Sequence, residues 1–230
     1  MLVSLLECSD THMAQTSSYE ESEITVRGVS VENETAAGLF FFALAAQFMT
    51  VIMLAAAMVP GYDFRGGAIS DLGVYPETAL LFTVSLVVVG VCNLLGGYFF
   101  YRTHGKRWLF AIYAVAGIGA IGTGLFPLDA GDLHGLFALV AFLFFNVQAL
   151  GTATQLDGVI RILSILAGVI GLVFVVLMAI GDGGTTAAFG PIGHGGTERM
   201  IVYPVMLWMV AFGGYLLGTG DPQVAVQKAE

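Results

Sequence analysis

TALLFTVSLVVVGVCNLLGGYFF, residues 78–100, decides how this chain is read. Its 23 residues carry no charge, and a helix crosses the hydrocarbon layer of a bilayer in about 20 residues. A soluble helix needs a polar face for water, and this stretch has none to offer. In lipid the backbone must bond to itself, so a transmembrane helix is the only sensible reading. Tyr98, Tyr101, Arg102, Lys106, Arg107 and Trp108 follow, the aromatic and basic mixture found at a membrane boundary. Working outward, five more runs have the same character: residues 36–59, 108–125, 135–154, 160–180 and 200–217. The expected fold is therefore all-α, a polytopic membrane protein built as a six-transmembrane-helix bundle over residues 36–218.

Composition supports this class. Hydrophobic residues make up 57% of the 230, charged residues only 11%, and mean hydropathy is +0.86. Soluble domains carry about 25% charged residues, so this chain has too little polar surface to face water all round. The net charge of −9 is uneven, since Glu7, Asp10, Glu20, Glu21, Glu23, Glu32 and Glu34 crowd the start. Residues 1–35 read as a disordered acidic tail, with Met13 as a second candidate start, and residues 219–230 as a C-terminal tail. No basic patch suits nucleic acid, so none is expected as a partner. Two cysteines, Cys8 and Cys92, cannot build a disulfide framework and read as unpaired.

Six crossings put Arg102, Lys106, Arg107, Arg161, Arg27 and Lys228 on one side, and leave Arg65 and Arg199 on the other. The positive-inside rule then predicts a cytoplasmic-membrane protein with both termini in the cytoplasm. The three outward loops collect seven acids, two arginines and two histidines. The first loop contains Gly66-Gly67-Ala68-Ile69-Ser70-Asp71-Leu72-Gly73, the second Asp129, Asp132 and His134, the third Asp182, His194 and Glu198, with Arg199 opening the last helix. At membrane depth the polar residues are neutral: Gln47, Thr50, Asn93, Asn146 and Gln148. Ion-coupled transport normally needs an ionisable group there, so interhelical hydrogen bonding is the expected role, with a neutral-solute path past Asn146 and Gln148 as the alternative. Ala116, Ala120 and Gly124, and Gly214 with Gly218, space small residues for close helix packing.

Each polar cluster has a structural and a chemical reading. Pro76 and Glu77 suit the start of a helix. Asp71 reads partly as a turn residue, Asp132 as a cap on the fourth helix and Thr197 as a cap on the sixth. Arg199 at a helix start opposes the dipole, so a carboxylate from Asp71, Asp129 or Glu198 is expected beside it. That arrangement would be a clasp built from Ser70, Asp71, Asp129, His134, Glu198 and Arg199. The chemical reading makes His134 a general base, oriented by Asp132 or Asp129, with Asp71 in the site and Ser70 as a nucleophile. A metal held by Asp71, Asp132, His134 and His194 is a further arrangement without diagnostic spacing, and neither metal nor cofactor is expected.

At these residues a resemblance enters. Ile69-Ser70-Asp71-Leu72-Gly73, then Gly124-Leu125-Phe126-Pro127 with Asp129 and His134, then Glu198-Arg199 ahead of Tyr203-Pro204, resemble domain-of-unknown-function family 998, six-helix membrane proteins of archaea and bacteria. The first outer loop and His134 are also distantly similar to DRAM-like and GPI-anchor lipid-remodelling membrane proteins. The first resemblance implies fold and topology over about residues 38–218; the second implies lipid handling. The expected function is a clasp that recognises a lipid headgroup or a membrane partner protein. Hydrolysis or transfer on a lipid or lipid-linked substrate, and neutral-solute transport, are the alternatives.

Overall fold

The computed structural model describes residues 33–219. Helices α1 (Asn33–Met58), α2 (Ala79–His104), α3 (Arg107–Leu125), α4 (Asp132–Ala153), α5 (Gly158–Asp182) and α6 (Gly193–Thr219) account for most of them. Short 3-10 turns at Ser70–Gly73, Leu128–Ala130 and Thr186–Ile192 interrupt the loops at one end. Among the described residues there is no strand, and six helices are long and apolar enough to span a membrane. The expected tails lie outside the described residues, except that residues 33–35 and 219 are helical.

Helices adjacent in sequence pack side by side, and α1 closes the bundle. It stacks Phe40 on Phe99 of α2, with centroids 5.9 Å apart, and meets α6 where a Cβ on Gly38 would lie 2.8 Å from the Gly213 carbonyl. Backbones this close exchange dispersion contacts that larger side chains would prevent. Ala116, Ala120 and Gly124 face the bundle as expected. Gly214 and Gly218 face out of it, with no atom of the described residues beyond their own stretch of helix within 4 Å of a Cβ placed there.

The neutral polar residues at membrane depth pair across helices. Asn93 and Gln148 exchange hydrogen bonds at 3.1 and 3.2 Å, and Asn93 also donates to the Tyr113 carbonyl at 2.8 Å. Ser85 donates to Gln47 at 2.9 Å, and Trp208 to Ser164 at 2.7 Å. Each such bond contributes about 0.6–2 kcal/mol in lipid. Asn146 joins α4 to α6 through the Ile201 carbonyl.

The largest departure from expectation is the start of α6. It begins at Gly193, not near Met200. The glycines of His194-Gly195-Gly196 look like loop, yet they are helical because the first loop packs on them. Gly195 N–H donates to the Arg65 carbonyl at 2.9 Å, and a side chain at Gly195 would collide with the Gly67 carbonyl. Glu198 and Arg199 therefore sit in the second turn of a helix, inside a span read as membrane-crossing. Thr197 does not cap it; its hydroxyl bonds back to the Gly193 carbonyl at 2.9 Å. Asp132 does not cap α4 either: Gly131 is the capping position, and Asp132 lies exposed in the first turn, where its charge suits the dipole.

The loops at residues 59–78, 126–131 and 183–192 share one end of the bundle, and those at 105–106 and 154–157 the other. In a background lacking Cys8 and Cys92, cysteines at the exposed positions Ala130 and Ala187 should react with an impermeant thiol reagent from the same side. One at Lys106 should react only from the opposite side. Labelling of all three from one side would contradict this topology.

Candidate functional site

The site begins with a loop that bonds to itself before it bonds to anything else. Asp63 accepts from the backbone N–H groups of Arg65 and Gly66, both at 2.9 Å, and these bonds hold its carboxyl below the ordinary range. Gly67 N–H returns to the Asp63 carbonyl at 2.7 Å. Asp71 accepts from Ala68 N–H at 2.8 Å and so closes the 3-10 turn from inside. This folding leaves the carbonyls of Phe64 and Gly67, then the donors of Ile69 and Ser70, aimed at α6.

Two consecutive residues of α6 take them. Arg199 Nη1 donates to the carbonyls of Phe64 (3.0 Å), Gly67 (2.9 Å) and Gly195 (2.7 Å), and Nη2 to the Tyr62 hydroxyl (2.8 Å). The guanidinium also lies 4.9 Å from the Phe64 ring centre and 5.6 Å from that of Tyr62. The Tyr62 hydroxyl donates in turn to the Ala68 carbonyl, and burial raises its pKa to about 12 against the opposing pull of Arg199. Glu198 accepts from Ser70 Oγ at 2.7 Å and from Ile69 N–H. Both α6 side chains are buried, Glu198 3% and Arg199 9% exposed. Among the described residues no carboxylate lies within 4.0 Å of Arg199. The expected carboxylate partner is thus replaced by carbonyl dipoles and ring faces, since Asp71 is spent on its own turn and Asp129 is exposed.

Beside this contact lies a cleft of about 510 Å³ between the loop, α4, α5 and α6. Its mouth is polar, lined by Ser70, Asp71, His134, Asp182, His194 and Glu198, and its inner wall is apolar, with Leu139, Phe142, Val175 and Met178. His134 is 3% exposed, and its Nδ1 lies 2.8 Å from the Phe126 carbonyl. A carbonyl only accepts, so Nδ1 carries the proton and, in the neutral ring, Nε2 is left as an acceptor. It makes no hydrogen bond to another described residue. His194 Nε2 meets Asp182 at 3.3 Å. No group of three His, Cys, Asp or Glu among the described residues could hold a metal ion.

A sequence model described as "Protein of unknown function (DUF998)" matches residues 36–215, all six helices and the loops that form this site. The chain belongs to the DUF998 family. No curated protein and no solved structure matches it. Membership in DUF998 assigns no activity, so the chemistry is read from the site itself.

Of the residues singled out from sequence, Ser70, Glu198 and Arg199 meet in one contact, and Asp71 and His134 stand on the cleft wall. Asp129 and Asp132 stay outside it, their side chains exposed and without a hydrogen bond to another described residue. The Phe126 carbonyl, not Asp132, orients His134. Tyr62 and Phe64 were not anticipated; aromatic residues flanking a charge in a polar loop are the signal that could have found them.

Arg199→Met leaves three carbonyls and a phenol without their donor, which should cost about 3–5 kcal/mol. Glu198→Leu, which orphans the Ile69 N–H and Ser70 hydroxyl, should fall in the same range. Glu198→Gln keeps an acceptor oxygen and should cost about 1–2 kcal/mol. Reversible denaturation in detergent measures all three. An Arg199→Met protein as stable as the parent would contradict the clasp.

Proposed function

We propose that this DUF998 protein recognises a membrane lipid by its headgroup, in the cleft beside the Glu198–Arg199 clasp, without catalysing a reaction on it. One observation carries the reading: the cleft is polar at the helix ends and apolar along α4 and α5, in the order a lipid is built. The clasp supports it, because it fixes the loop bearing Ser70 and Asp71 as the roof. A partner protein at the same mouth would have no use for the apolar inner wall. The distribution of Lys and Arg supports a cytoplasmic membrane with the cleft on its outer side and both termini inside.

A second reading has an observation of its own. The free Nε2 of His134 suits a general base acting on a lipid or lipid-linked ester. Against it, the Ser70 hydroxyl donates to Glu198, so no nucleophile is joined to that base. Neutral-solute transport has less support, since Gln148 is bound to Asn93. The cavity below Glu198, about 50 Å³, is walled mainly by apolar side chains such as Phe48, Leu86 and Val202.

Ala179 is exposed and lines the cleft, so Ala179→Trp fills it at little cost to folding. Native mass spectrometry of the protein extracted in mild detergent should find a retained lipid, reduced at least tenfold in Ala179→Trp, while the two proteins share the same Tm once delipidated. Equal retention by both proteins would overturn the proposal. A membrane lipid composition altered by His134→Gln as it is by deletion would favour the enzyme instead.

A further inference from the structure

We infer that the headgroup taken by this cleft carries a hydrogen-bonding ammonium group, as an aminolipid does, in preference to an anionic or purely hydroxylic one. The inference rests on the lipid-binding reading and adds the chemical class of the ligand. Its basis is the polarity of the atoms left unpaired at the mouth. No Lys or Arg lines the cleft. Arg199 is adjacent in sequence to a lining residue, but its Nη atoms are committed to carbonyls and a phenol away from the cleft. The acids that line it are Asp71, Asp182 and Glu198.

The hydrogen-bond inventory points the same way. Asp71 uses one oxygen on Ala68 N–H and has the other free. Asp182 turns one oxygen to His194 and likewise keeps the other. His134, nine-tenths buried, offers the unpartnered Nε2 lone pair fixed by the Phe126 carbonyl. The donor that might have balanced them, the Ser70 hydroxyl, points to Glu198. The spare side-chain atoms of Asp71, Asp182 and His134 are therefore acceptors, two of them on carboxylates. A phosphate or carboxylate headgroup with no donor of its own would meet like charge and lone pairs. An ammonium brings three donors and the opposite charge, and in a partly desolvated cleft charge-assisted bonds are about twice as strong as neutral ones. The inner wall of Leu139, Phe142 and Val175 then takes the first methylenes of the acyl chains.

The test uses full-length protein, delipidated in maltoside detergent, with thermal unfolding followed as lipids of identical acyl chains are added. Phosphatidylethanolamine should raise Tm at a concentration at least tenfold below that needed for phosphatidylglycerol, phosphatidylcholine or a monoglucosyl diacylglycerol. Phosphatidylcholine separates charge from hydrogen bonding, because its ammonium has no N–H. Asp71→Asn with Asp182→Asn keeps both local contacts while removing the charge, and should erase the difference without lowering the lipid-free Tm. Equal or stronger stabilisation by phosphatidylglycerol, by phosphatidylcholine or by the glucolipid overturns the headgroup assignment and leaves lipid binding intact. No stabilisation by any of the four, together with lipid retention unaffected by Ala179→Trp, overturns lipid binding itself.

Discussion

A guanidinium nine-tenths buried, with no carboxylate within 4.0 Å among the described residues, is the constraint on which the polar end of this protein depends. Leaving such a charge unpaired costs several kcal/mol, and here the compensation is spread over three carbonyls, a phenol and two aromatic faces. Each of those partners except the Gly195 carbonyl comes from residues 62–67. The observed shape of the loop brings these partners to both Nη atoms of Arg199, and Nε stays buried without a hydrogen bond to a described residue. Arg suits this task where Lys does not, because its planar fork reaches several acceptors at fixed angles.

Glu198 completes the selection by reading the opposite polarity. Residues 64–67 present carbonyls, residues 69–70 present an N–H and an O–H, and consecutive positions on α6 supply a donor for the first and an acceptor for the second. A slip of the loop by one residue would set carbonyl against carboxylate. This is also how irregular backbone is tolerated at the edge of the hydrocarbon layer, where its polar groups need protein partners in place of water. The approach is close enough that α6 must lack side chains where the loop crosses. Gly193 adopts φ of 72° and Gly195 lies under the Gly67 carbonyl, so the same glycines that disguise the helix start make the contact.

That disguise explains what the sequence did and did not reveal. Six crossings were legible because bilayer thickness forces a length and a composition on each, and residues 78–100 meet both without a charge. The end of the bundle that holds the polar residues was legible too, because alternation of crossings fixes it. The interior of the site was not. Gly193-His194-Gly195-Gly196 has low helix propensity, and only the loop packed on it makes it a helix, a tertiary effect no local reading contains. Because α6 starts at Gly193, Arg199 lies in its second turn and not at its mouth, and carbonyls of the packed loop serve there in place of a carboxylate. Asp129 and Asp132 looked like Ser70 and Asp71 in sequence, all acids or hydroxyls in outer loops, but burial separates them, and burial follows from packing alone. Nothing local ties Tyr62 and Phe64 to Arg199, because only the packing of the loop on α6 brings their ring faces to it.

The clasp and the cleft are not separate features. Glu198 and Ser70 belong to both, so the bond that holds the loop is also part of the wall a ligand would touch. Ser70 cannot offer its proton to a ligand while Glu198 holds it, and Glu198 has both oxygens engaged while the loop is closed. The chemistry left to the cleft is therefore what the clasp does not consume: the free oxygens of Asp71 and Asp182 and the lone pair of His134. A site whose hydroxyl is already committed, and whose spare atoms on Asp71, Asp182 and His134 are acceptors, is poorly arranged for nucleophilic attack and suited to holding a donor. On the proposed reading, the buried glutamate that holds the loop thus leaves the site arranged for recognition over reaction.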